Sequence, residues 1–544
     1  MNSTQSQAAL ALPRTRPPVA GRNGAVASAH PLASLAGLDM LRQGGNAVDA
    51  AVAMAVTLAV VEPYMSGPGG VGFLILSHAD GRTDVLNFSG TTPAAATCEQ
   101  FTPATQERGP RASLVPGNVA GWFEALGRAG RLPAGEVFAP AVRLAREGFP
   151  LHPANVRFIE AARPRLDAAA ARAYGDVPLR IGAILTQPEL AGTLELLAGA
   201  GPDEFYRGPL AGRIAECVQS QGGFLSLDDL TGYEPEWGQP VAAAYRGCEV
   251  RTCPPNSEGF QILQTLRLLE AFDLASLGHN SAQSVHVVSE AVKLAAADRI
   301  RWGGDPKFHP VPLDRLLGED YIADRRRVIN FSRASQSEGE RWRGPRSREA
   351  VAPGHVDGLT THLAAVDRDG TVASITQSLG SGFGSGVMVP GTGLLLNNFV
   401  WWTEIDPACP TPNRLAPGKR WSCCLAPTHV FRDGRCWFSM ATPGSYGILH
   451  TTVQMLLNVI DFGADVQSAI EAPRFRVWED TRMQIETRVP ADVREELSRR
   501  GHALEPVGDY SALVGGGQAV MIDPASGARL AGADPRRDGY ALAY

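Results

Sequence analysis

Cysteine is scarce in this sequence and shows no metal-binding spacing. Eight cysteines occur in 544 residues, and no C-x-x-C motif is among them. Cys248 and Cys253 form a C-x4-C pair, but no nearby histidine or cysteine completes a zinc set. The sequence therefore predicts neither a disulfide framework nor a structural metal, and it implies no cofactor.

A long apolar run is also missing. The longest stretch, residues 47–61, carries Asp49 and is too short for a membrane helix, which needs about 20 residues. The N-terminus has no basic region, and its apolar run covers only residues 8–12, which is less than a secretory signal needs. We expect a cytoplasmic protein without a membrane segment, and a flexible tail over residues 1–23.

An excess of basic residues is absent as well. Lys and Arg number 50 against 56 Asp and Glu, a formal net charge of −6, which argues against a nucleic-acid partner. Hydrophobic residues make up 44% and charged residues 19%, which is typical of a globular chain and not of a disordered one. At about 150 residues per domain the length allows several units, although large layered enzymes also run long as one unit.

The apolar pattern predicts hairpin-paired strands together with helices. Residues 30–61 favour two helices, with Asn46 capping the second. The Asp-Gly pairs at 80–81 and 369–370 each lie between two alternating apolar runs, which is a hairpin signal. Further strands and helices follow toward the C-terminus. This order favours stacked antiparallel sheets between helical layers.

The segment 331–359 interrupts this pattern. It has little apolar periodicity and many Arg, Ser, Gly and Pro residues, so we expect it to be exposed and mobile. Its basic residues are offset by Glu338, Glu340 and Glu349. A solvated charge run is therefore a better interpretation than an RNA-binding segment.

A glycine-rich turn at residues 67–72 matches the G-x-G-x-x-G pattern. A dinucleotide site needs a strand before this motif and a helix after it. Here an alanine-rich helix is predicted before it and a strand after it. We therefore interpret the motif as a turn that lets backbone approach a neighbouring strand.

Thr360 begins a predicted strand directly after the segment 331–359. Taken alone, a β-branched residue at a strand start is ordinary. The alternative is an N-terminal nucleophile. Cleavage of the Leu359–Thr360 peptide bond would free an α-amine with a pKa of about 8, which can act as the base for the Thr360 hydroxyl. The β-methyl group restricts χ1 and holds Oγ in one direction.

Residues 441–447, with the sequence ATPGSYG, precede a predicted helix. Backbone N–H groups at a helix N-terminus can bind a developing oxyanion. The alternative is an ordinary glycine turn, and only a nucleophile nearby would favour the catalytic interpretation.

Taken together, the chain resembles the gamma-glutamyltransferase family of N-terminal-nucleophile hydrolases over nearly its whole length. The order and spacing of several segments carry the resemblance. These are GGNAVDAAVA (44–53), GPGGVGF (67–73), PPNSEGFQILQTLRLLE (254–270), EAVKLAAADR (290–299), TTHLAAVDRDG (360–370), LLLNN (394–398), PGKR (417–420) and GADPRRDGYALAY (532–544).

The resemblance implies a four-layer αββα sandwich that is made as a proenzyme. It implies cleavage before Thr360, which divides the chain after its tail into a large part, residues 24–359, and a small part, residues 360–544. The two parts would remain associated. Thr360 would serve both as the residue of self-cleavage and as the catalytic nucleophile.

The resemblance also implies roles for three further residues. Ser378 matches a family Thr whose hydroxyl supports the nucleophile. Gly444 and Ser445 match the backbone donors of the oxyanion hole, where the family usually has two glycines.

The substrate-binding residues depart from the family. Six positions replace groups that hold a glutamyl head group: Ser89 for an Arg, Gly380 for an Asn, Phe399 for a Gln, Trp402 for an Asp, and Cys423 and Cys424 for a serine pair. A buried carboxylate without a charged partner is costly. The glutamyl α-carboxylate therefore has no evident partner unless Arg420 or Arg414 reaches the pocket. The aromatic replacements favour a smaller or more apolar acyl group.

The sequence thus predicts a self-processing amide hydrolase or acyltransferase that forms an acyl-enzyme on Thr360 and acts on a small-molecule amide. The alternatives within the family are a genuine gamma-glutamyl transferase or glutathione hydrolase, an oxamate-type short-acyl amidase, a cephalosporin-type acylase and a carbon–carbon hydrolase. An inactive homologue that serves as a binding protein is the alternative from another class. Hydrolysis and acyl transfer are both compatible with this interpretation, and so is a homodimer of the cleaved form.

Overall fold

The protein combines helices with sheets. A computed structural model describes residues 12–175, 177–336, 359–478 and 480–544. Its helices, numbered in chain order, are α1 Pro31–Arg42, α2 Ala47–Val61, α3 Pro103–Glu107, α4 Asn118–Ala129, α5 Ala134–Glu147, α6 Pro153–Ala162, α7 Ala168–Tyr174, α8 Pro188–Ala200, α9 Asp203–Tyr206, α10 Pro209–Gln219, α11 Leu227–Thr231, α12 Phe260–Leu269, α13 Leu274–Leu277, α14 Ala282–Trp302, α15 Leu313–Leu316, α16 Glu319–Arg326, α17 Gly447–Ile460, α18 Val466–Glu471 and α19 Ala491–Arg499.

Two seven-stranded antiparallel sheets hold most of the strands. Sheet 1 contains, in spatial order, β21 Tyr540–Ala543, β2 Gly24–Ser28, β10 Leu359–Asp367, β11 Val372–Gly380, β3 Val71–Ser77, β4 Thr83–Phe88 and β7 Glu236–Gly238. Sheet 2 contains β1 Val19–Gly21, β20 Arg529–Ala533, β19 Gln518–Ile522, β15 Arg435–Ala441, β14 Thr428–Arg432, β9 Cys248–Thr252 and β8 Val241–Tyr245. Smaller sheets pair β5 Phe149–Pro150 with β6 Ile184–Leu185, β12 Met388–Val389 with β13 Leu394–Leu395, and β17 Arg482–Ile485 with β16 Phe475–Val477 and β18 Ala503–Pro506.

Helices pack against both sheets, and the sheets contact each other. α2 packs against β10 and β11 of sheet 1, whereas α12, α17 and α18 pack against strands of sheet 2. Between the sheets, β10 contacts β19 and β2 contacts β20. His429 of β14 bridges them, because its ring nitrogens lie 2.7 Å from Ser77 Oγ and 2.8 Å from Ser374 Oγ. The fold is thus a mixed helix and sheet fold, and the finer four-layer order stays a prediction.

Several local predictions are confirmed. Asn46 caps α2, and its side chain accepts hydrogen bonds from Val48 N and Asp49 N. The two Asp-Gly turns join β3 to β4 and β10 to β11. The glycine turn at 67–72 follows α2 and precedes β3. A Cβ on Gly69 would lie 2.1 Å from the carbonyl oxygen of Leu395, so this turn does allow the close backbone approach that the sequence predicts.

The expected flexible tail differs from the structure over residues 12–23. β1 pairs with β20 at the edge of sheet 2, and the Arg16 guanidinium donates to the carbonyl oxygens of Ala533 and Gly539, both at 2.6 Å. Pairing with a strand near the other end of the chain orders this region, and local sequence does not reveal such pairing. Residues 1–11 lie outside the described residues.

The segment predicted to be mobile, 331–359, is described only at its ends. Residues 337–358 lie outside the described residues. At the first end, Ala334 N donates to Arg500 O at 2.7 Å, and at the other end Leu359 already belongs to β10. The predicted boundary between the large and small parts therefore falls inside a strand.

Each of the two sheets contains strands of both predicted parts. In sheet 1, β10 and β11 of the small part lie between β2 and β3 of the large part. In sheet 2, β9 pairs with β14 and β1 pairs with β20. Both parts are therefore needed to build either sheet. Within the described ranges, no helix combines the length and apolarity needed to cross a bilayer.

Candidate active site

Thr360 lies on β10 with its side chain directed between the two sheets. Side chains alternate along a strand, and Ala364, which shares the parity of Thr360, packs in the cluster between the sheets with Phe431 of β14. Thr361 points the other way, toward Glu62 at the end of α2. Thr360 is buried.

Ser378 connects the Thr360 hydroxyl to the peptide bond before it. Thr360 Oγ1 donates to Ser378 Oγ at 3.2 Å, and Ser378 Oγ donates to the carbonyl oxygen of Leu359 at 2.7 Å. Gly380 N donates to the same Ser378 oxygen at 2.8 Å. The pairing register of β10 and β11 shifts between Leu359 and Thr360. The predicted partnership of Thr360 and Ser378 is thus present, and it includes the predicted cleavage point.

Glu62 lies beneath β10, the strand that carries Thr360. Thr361 Oγ1 donates to Glu62 Oε2 at 2.8 Å. Burial raises the pKa of Glu62 to about 7, although the Thr361 hydrogen bond and the charge of Arg537 act in the opposite direction. No sequence pattern indicates this contact, since residues 62 and 361 lie far apart in the chain.

Gly444 and Ser445 form the turn before α17. Their φ angles are 133° and 58°, so both lie where a glycine is favoured, and Ser445 is strained there. Thr442 fixes the turn, because Gly516 N donates to its Oγ1 at 2.8 Å. The turn meets the helix N-terminus as predicted, while its role toward an oxyanion stays a prediction.

Phe399 and Trp402 belong to an aromatic wall, which we define as Phe399, Trp402, Trp421 and Tyr446. The rings of Phe399 and Trp421 stack with centres 4.4 Å apart. Trp402 lies 5.8 Å from Trp421 and 5.6 Å from Tyr446. The wall joins two predicted binding residues to the residue that follows the Gly444–Ser445 turn. Trp421 and Tyr446 were not predicted.

Ser89 and Cys423 meet this wall through Asn256. Asn256 Nδ2 donates to Ser89 Oγ at 3.0 Å, and Trp421 Nε1 donates to Ser89 O at 3.1 Å. Cys423 N donates to Asn256 O at 2.8 Å. Cys423 and Cys424 are buried in the same apolar cluster as the wall. Burial raises the pKa of the Cys423 thiol well above its usual range, so this thiol stays protonated and unreactive.

Gly380 is tightly enclosed. Its φ is +103°, and a Cβ there would lie 2.2 Å from Asn398 Oδ1 and 3.5 Å from Trp402 Nε1. The structure thus brings Gly380 beside the aromatic wall as well as beside Ser378. It also explains why a larger residue does not stand at this position.

The two arginines that the sequence suggested for a carboxylate are engaged elsewhere. Arg420 Nη1 lies 3.1 Å from Glu236 Oε1, and Arg414 Nη1 donates to Pro407 O at 2.6 Å. Other arginines lie nearer to the wall. The Arg299 guanidinium lies 4.1 Å above the Tyr446 ring, and Arg476 packs on Gly447 at the start of α17. Sequence reasoning missed both, although Arg299 ends the quoted segment EAVKLAAADR.

One cluster of described residues has the composition of a metal site. His286, Glu290 and His502 place their ligand atoms within 4.8 Å of one another. However, Lys293 Nζ lies 2.5 Å from Glu290 Oε1, and His286 Nδ1 lies 2.8 Å from His502 Nε2. A metal ion there would face the Lys293 ammonium, so these residues fit a polar contact between α14 and the segment before β18 better than a metal centre.

Comparisons with known proteins find similar proteins over nearly the whole length of the chain. A family model described as Gamma-glutamyltranspeptidase matches residues 33–544. The Acylase ACY 1 proenzyme of Pseudomonas sp. (strain SE83) is 36% identical, with 97% of this chain and 94% of that protein covered. The glutathione hydrolase proenzyme of Escherichia coli (strain K12) is 34% identical, with 95% and 91% covered. The crystal structure of cephalosporin acylase from Bacillus halodurans superposes with a TM-score of 0.88 at 32% identity, covering 100% of this chain and 99% of that one.

Proposed function

The chain belongs to the gamma-glutamyltranspeptidase family of hydrolases and acyltransferases, and we propose that it is a self-processing amide hydrolase whose nucleophile is Thr360. The observation that carries the proposal is the hydrogen-bonded series from Thr360 Oγ1 through Ser378 Oγ to the Leu359 carbonyl. A self-cleaving precursor needs its nucleophile and its scissile carbonyl in one polar network. We further propose the αββα layer order of the family.

Self-cleavage begins with attack of Thr360 Oγ1 on the carbonyl carbon of Leu359. The Oγ–C bond forms, the C–N peptide bond breaks, and the proton of the hydroxyl passes to the leaving nitrogen, which becomes the α-amine of Thr360. Ser378 donates to the carbonyl oxygen, so it stabilises the charge that develops there. Water then hydrolyses the resulting ester and releases a free hydroxyl on Thr360.

Turnover repeats this chemistry on an external amide. The freed α-amine accepts the Thr360 hydroxyl proton, Oγ1 attacks the substrate carbonyl, and the amine product leaves with a proton. Backbone N–H groups of Gly444 and Ser445 receive the oxyanion. Water, or an amine acceptor, then takes the acyl group from Thr360.

The acyl group is other than a standard gamma-glutamyl. Two features support this part of the proposal. They are the aromatic wall, which includes Phe399 and Trp402, and the neutral hydrogen-bonded pair of Ser89 and Asn256. These groups provide apolar area and stacking where the family has charged and polar anchors, so a head group with an α-ammonium has no acidic partner among them.

Mass spectrometry of the purified protein tests the proposal. We expect two fragments of about 38 and 20 kDa, which are 359/544 and 185/544 of 57.7 kDa, and the small one should begin Thr-Thr-His-Leu. Incubation with a panel of small amides should then add an acyl mass to that fragment. An uncut chain that still hydrolyses amides would overturn the proposal.

A further inference from the structure

A buried carboxylate lies behind the residue that follows Thr360. Glu62 is the residue directly after α2, and its Oε2 accepts a hydrogen bond of 2.8 Å from Thr361 Oγ1. Both side chains are buried. A buried carboxylate is costly unless other groups compensate its charge, and a hydrogen bond from a neutral hydroxyl does not cancel that charge. The charged groups around Glu62 therefore decide whether it is ionised.

Arg537 provides a compensating positive charge. It lies just before β21 and is buried. Its Nη2 donates to Ala512 O at 3.0 Å, while its Nε and Nη1 form no hydrogen bond within the described part of the chain. Burial lowers the pKa of Arg537 to about 10, so the guanidinium stays charged at neutral pH. Burial raises the pKa of Glu62 to about 7, and the charge of Arg537 acts against this rise. Arg537 thus favours the ionised form of Glu62.

The other titratable groups that act on this pair are Tyr64, Arg157, Asp534 and Asp538. Tyr64 stays neutral, because burial raises its pKa well above the usual range. Asp534 forms ion pairs with two other arginines. Arg157 and Asp538 reach solvent, which screens their charges. Glu62 and Arg537 are therefore the pair of opposite charges that lies buried behind this end of β10.

The Glu62 carboxylate lies on the opposite face of β10 from the Thr360 hydroxyl. Proposed cleavage before Thr360 makes its nitrogen the first atom of the small part, and Thr361, which binds Glu62, is the next residue. The Thr360 side chain points to the other face, where its hydroxyl donates to Ser378. Glu62 can therefore act on the α-amine through its charge without forming a hydrogen bond with the nucleophilic oxygen.

We propose that Glu62, held in its ionised form by Arg537, is a positioning residue that stabilises the α-ammonium of Thr360 during acyl transfer. This inference rests on the proposed function. As Oγ1 attacks and the Oγ1–C bond forms, the hydroxyl proton passes to the α-amine, which becomes an ammonium. Glu62 neither gains nor loses a proton, and its negative charge lowers the free energy of that ammonium. The ammonium then gives the proton to the amine product as the C–N bond breaks.

The protonation of the α-amine can be measured with a chemical probe in place of a substrate. Acetic anhydride reacts with the uncharged amine, so the pH dependence of acetylation gives the α-amine pKa. Mass spectrometry of the N-terminal peptide of the small fragment measures the product, after hydroxylamine has removed any acetyl ester from the Thr360 hydroxyl. In Glu62→Gln we expect this pKa about one pH unit below that of the unmodified protein, because a nearby negative charge favours the ammonium.

Further variants separate the charge of Arg537 from its packing. Arg537→Gln should also lower the α-amine pKa, because Glu62 then takes up a proton, whereas Arg537→Lys keeps the charge and should retain most of the original value. In the Glu62→Gln background, Arg537→Gln should cause no further fall, since the arginine acts through Glu62.

Arg157→Gln is the matched control. Arg157 and Arg537 both approach the Phe158 ring, but Arg157 is exposed. Its removal should leave the α-amine pKa within about 0.2 pH units, because solvent screens its charge. A fall equal to that in Arg537→Gln would mean that net charge alone sets the pKa, and it would overturn the proposal.

The remaining outcomes separate this inference from the proposed function. Thr361→Val removes the hydroxyl donor without changing any charge, and it should lower the α-amine pKa by less than Glu62→Gln does. It carries the test if Glu62→Gln does not fold or is not cut. An unchanged pKa in the cut variant would overturn the role of Glu62, and the amide hydrolase would stand if the small fragment still gains an acyl mass. Unmodified protein that is neither cut nor acylated would instead overturn the proposed function.

Discussion

Ser378 Oγ donates a hydrogen bond of 2.7 Å to the carbonyl oxygen of Leu359, the carbonyl that precedes Thr360. The same hydroxyl accepts from Thr360 Oγ1. One side chain thus contacts both Thr360 Oγ1 and the carbonyl oxygen of Leu359, which are the attacking oxygen and the oxygen that gains charge in the proposed self-cleavage. In that proposal Ser378 acts before the chain is cut as well as afterwards.

Self-cleavage should depend on the hydroxyl groups of both Thr360 and Ser378, and more strongly on that of Thr360. Thr360→Ala should leave the chain whole and inactive, and Thr360→Ser should be cut slowly because the χ1 restraint is lost. Ser378→Ala should slow cleavage by about a hundredfold, since one donor to the developing oxyanion is removed. Electrophoresis over time measures the rates. Ser378→Thr retains the hydroxyl and should be cut far faster than Ser378→Ala; equal rates would deny Ser378 this role.

Gamma-glutamyl anilides should be poor substrates. The wall at Phe399 and Trp402 offers no carboxylate to an α-ammonium, and we expect kcat/KM about a hundredfold or more below that for the true acyl group. The combined change Ser89→Arg, Phe399→Gln and Trp402→Asp should raise gamma-glutamyl activity, while single changes should not, because each adds an unpaired charge or gap. A natural kcat/KM of about 10⁴ M⁻¹s⁻¹ or more would contradict this account of the pocket.

Gly380 should not tolerate a side chain. Gly380→Ala places a methyl group at φ +103° and against Asn398 Oδ1, and we expect a loss of about 1–3 kcal/mol in the free energy of unfolding. Gly192→Ala is the control, because Gly192 lies inside α8 with no atom within 4 Å of the added group. It should stabilise the protein by about 0.5–1 kcal/mol. Urea unfolding measures both, and an unchanged midpoint for Gly380→Ala would be inconsistent with the enclosed position.

Acid should weaken the contact between the sheets through His429. Burial lowers the pKa of His429 to about 3 from 6.5, so between these values the unfolded chain binds a proton that the folded chain does not. The contribution of neutral His429 to the free energy of unfolding is therefore complete above pH 6.5. It falls as the pH drops toward 3, with a slope of about 1.4 kcal/mol per pH unit. His429→Gln should reduce by one the protons taken up on unfolding near pH 5. An unchanged pH slope in urea unfolding would show that His429 is charged in the fold.

Short sequence patterns predicted the helix cap and the hairpin turns of this fold, and also the residues that face each other on β10 and β11. The Asn46 cap, the Asp-Gly hairpins and the Thr360–Ser378 partnership follow from short patterns or from a matched motif. Long-range packing explains what was missed. The pairing of β1 with β20, and the approach of Arg299 to Tyr446, join segments whose sequences give no sign of each other. From the sequence alone, an arginine that is buried cannot be distinguished from one whose charge is solvated on the surface of a helix.

The sharing of both sheets by the two predicted parts has a consequence for how the protein is assembled. A large fragment made alone would lack β10 and β11 and would leave the backbone of β2 and β3 open at the centre of sheet 1, which is a template for aggregation. If the chain is cut as proposed, its covalent continuity favours correct pairing of these strands before cleavage. We then expect the cut protein to exchange fragments no faster than it unfolds.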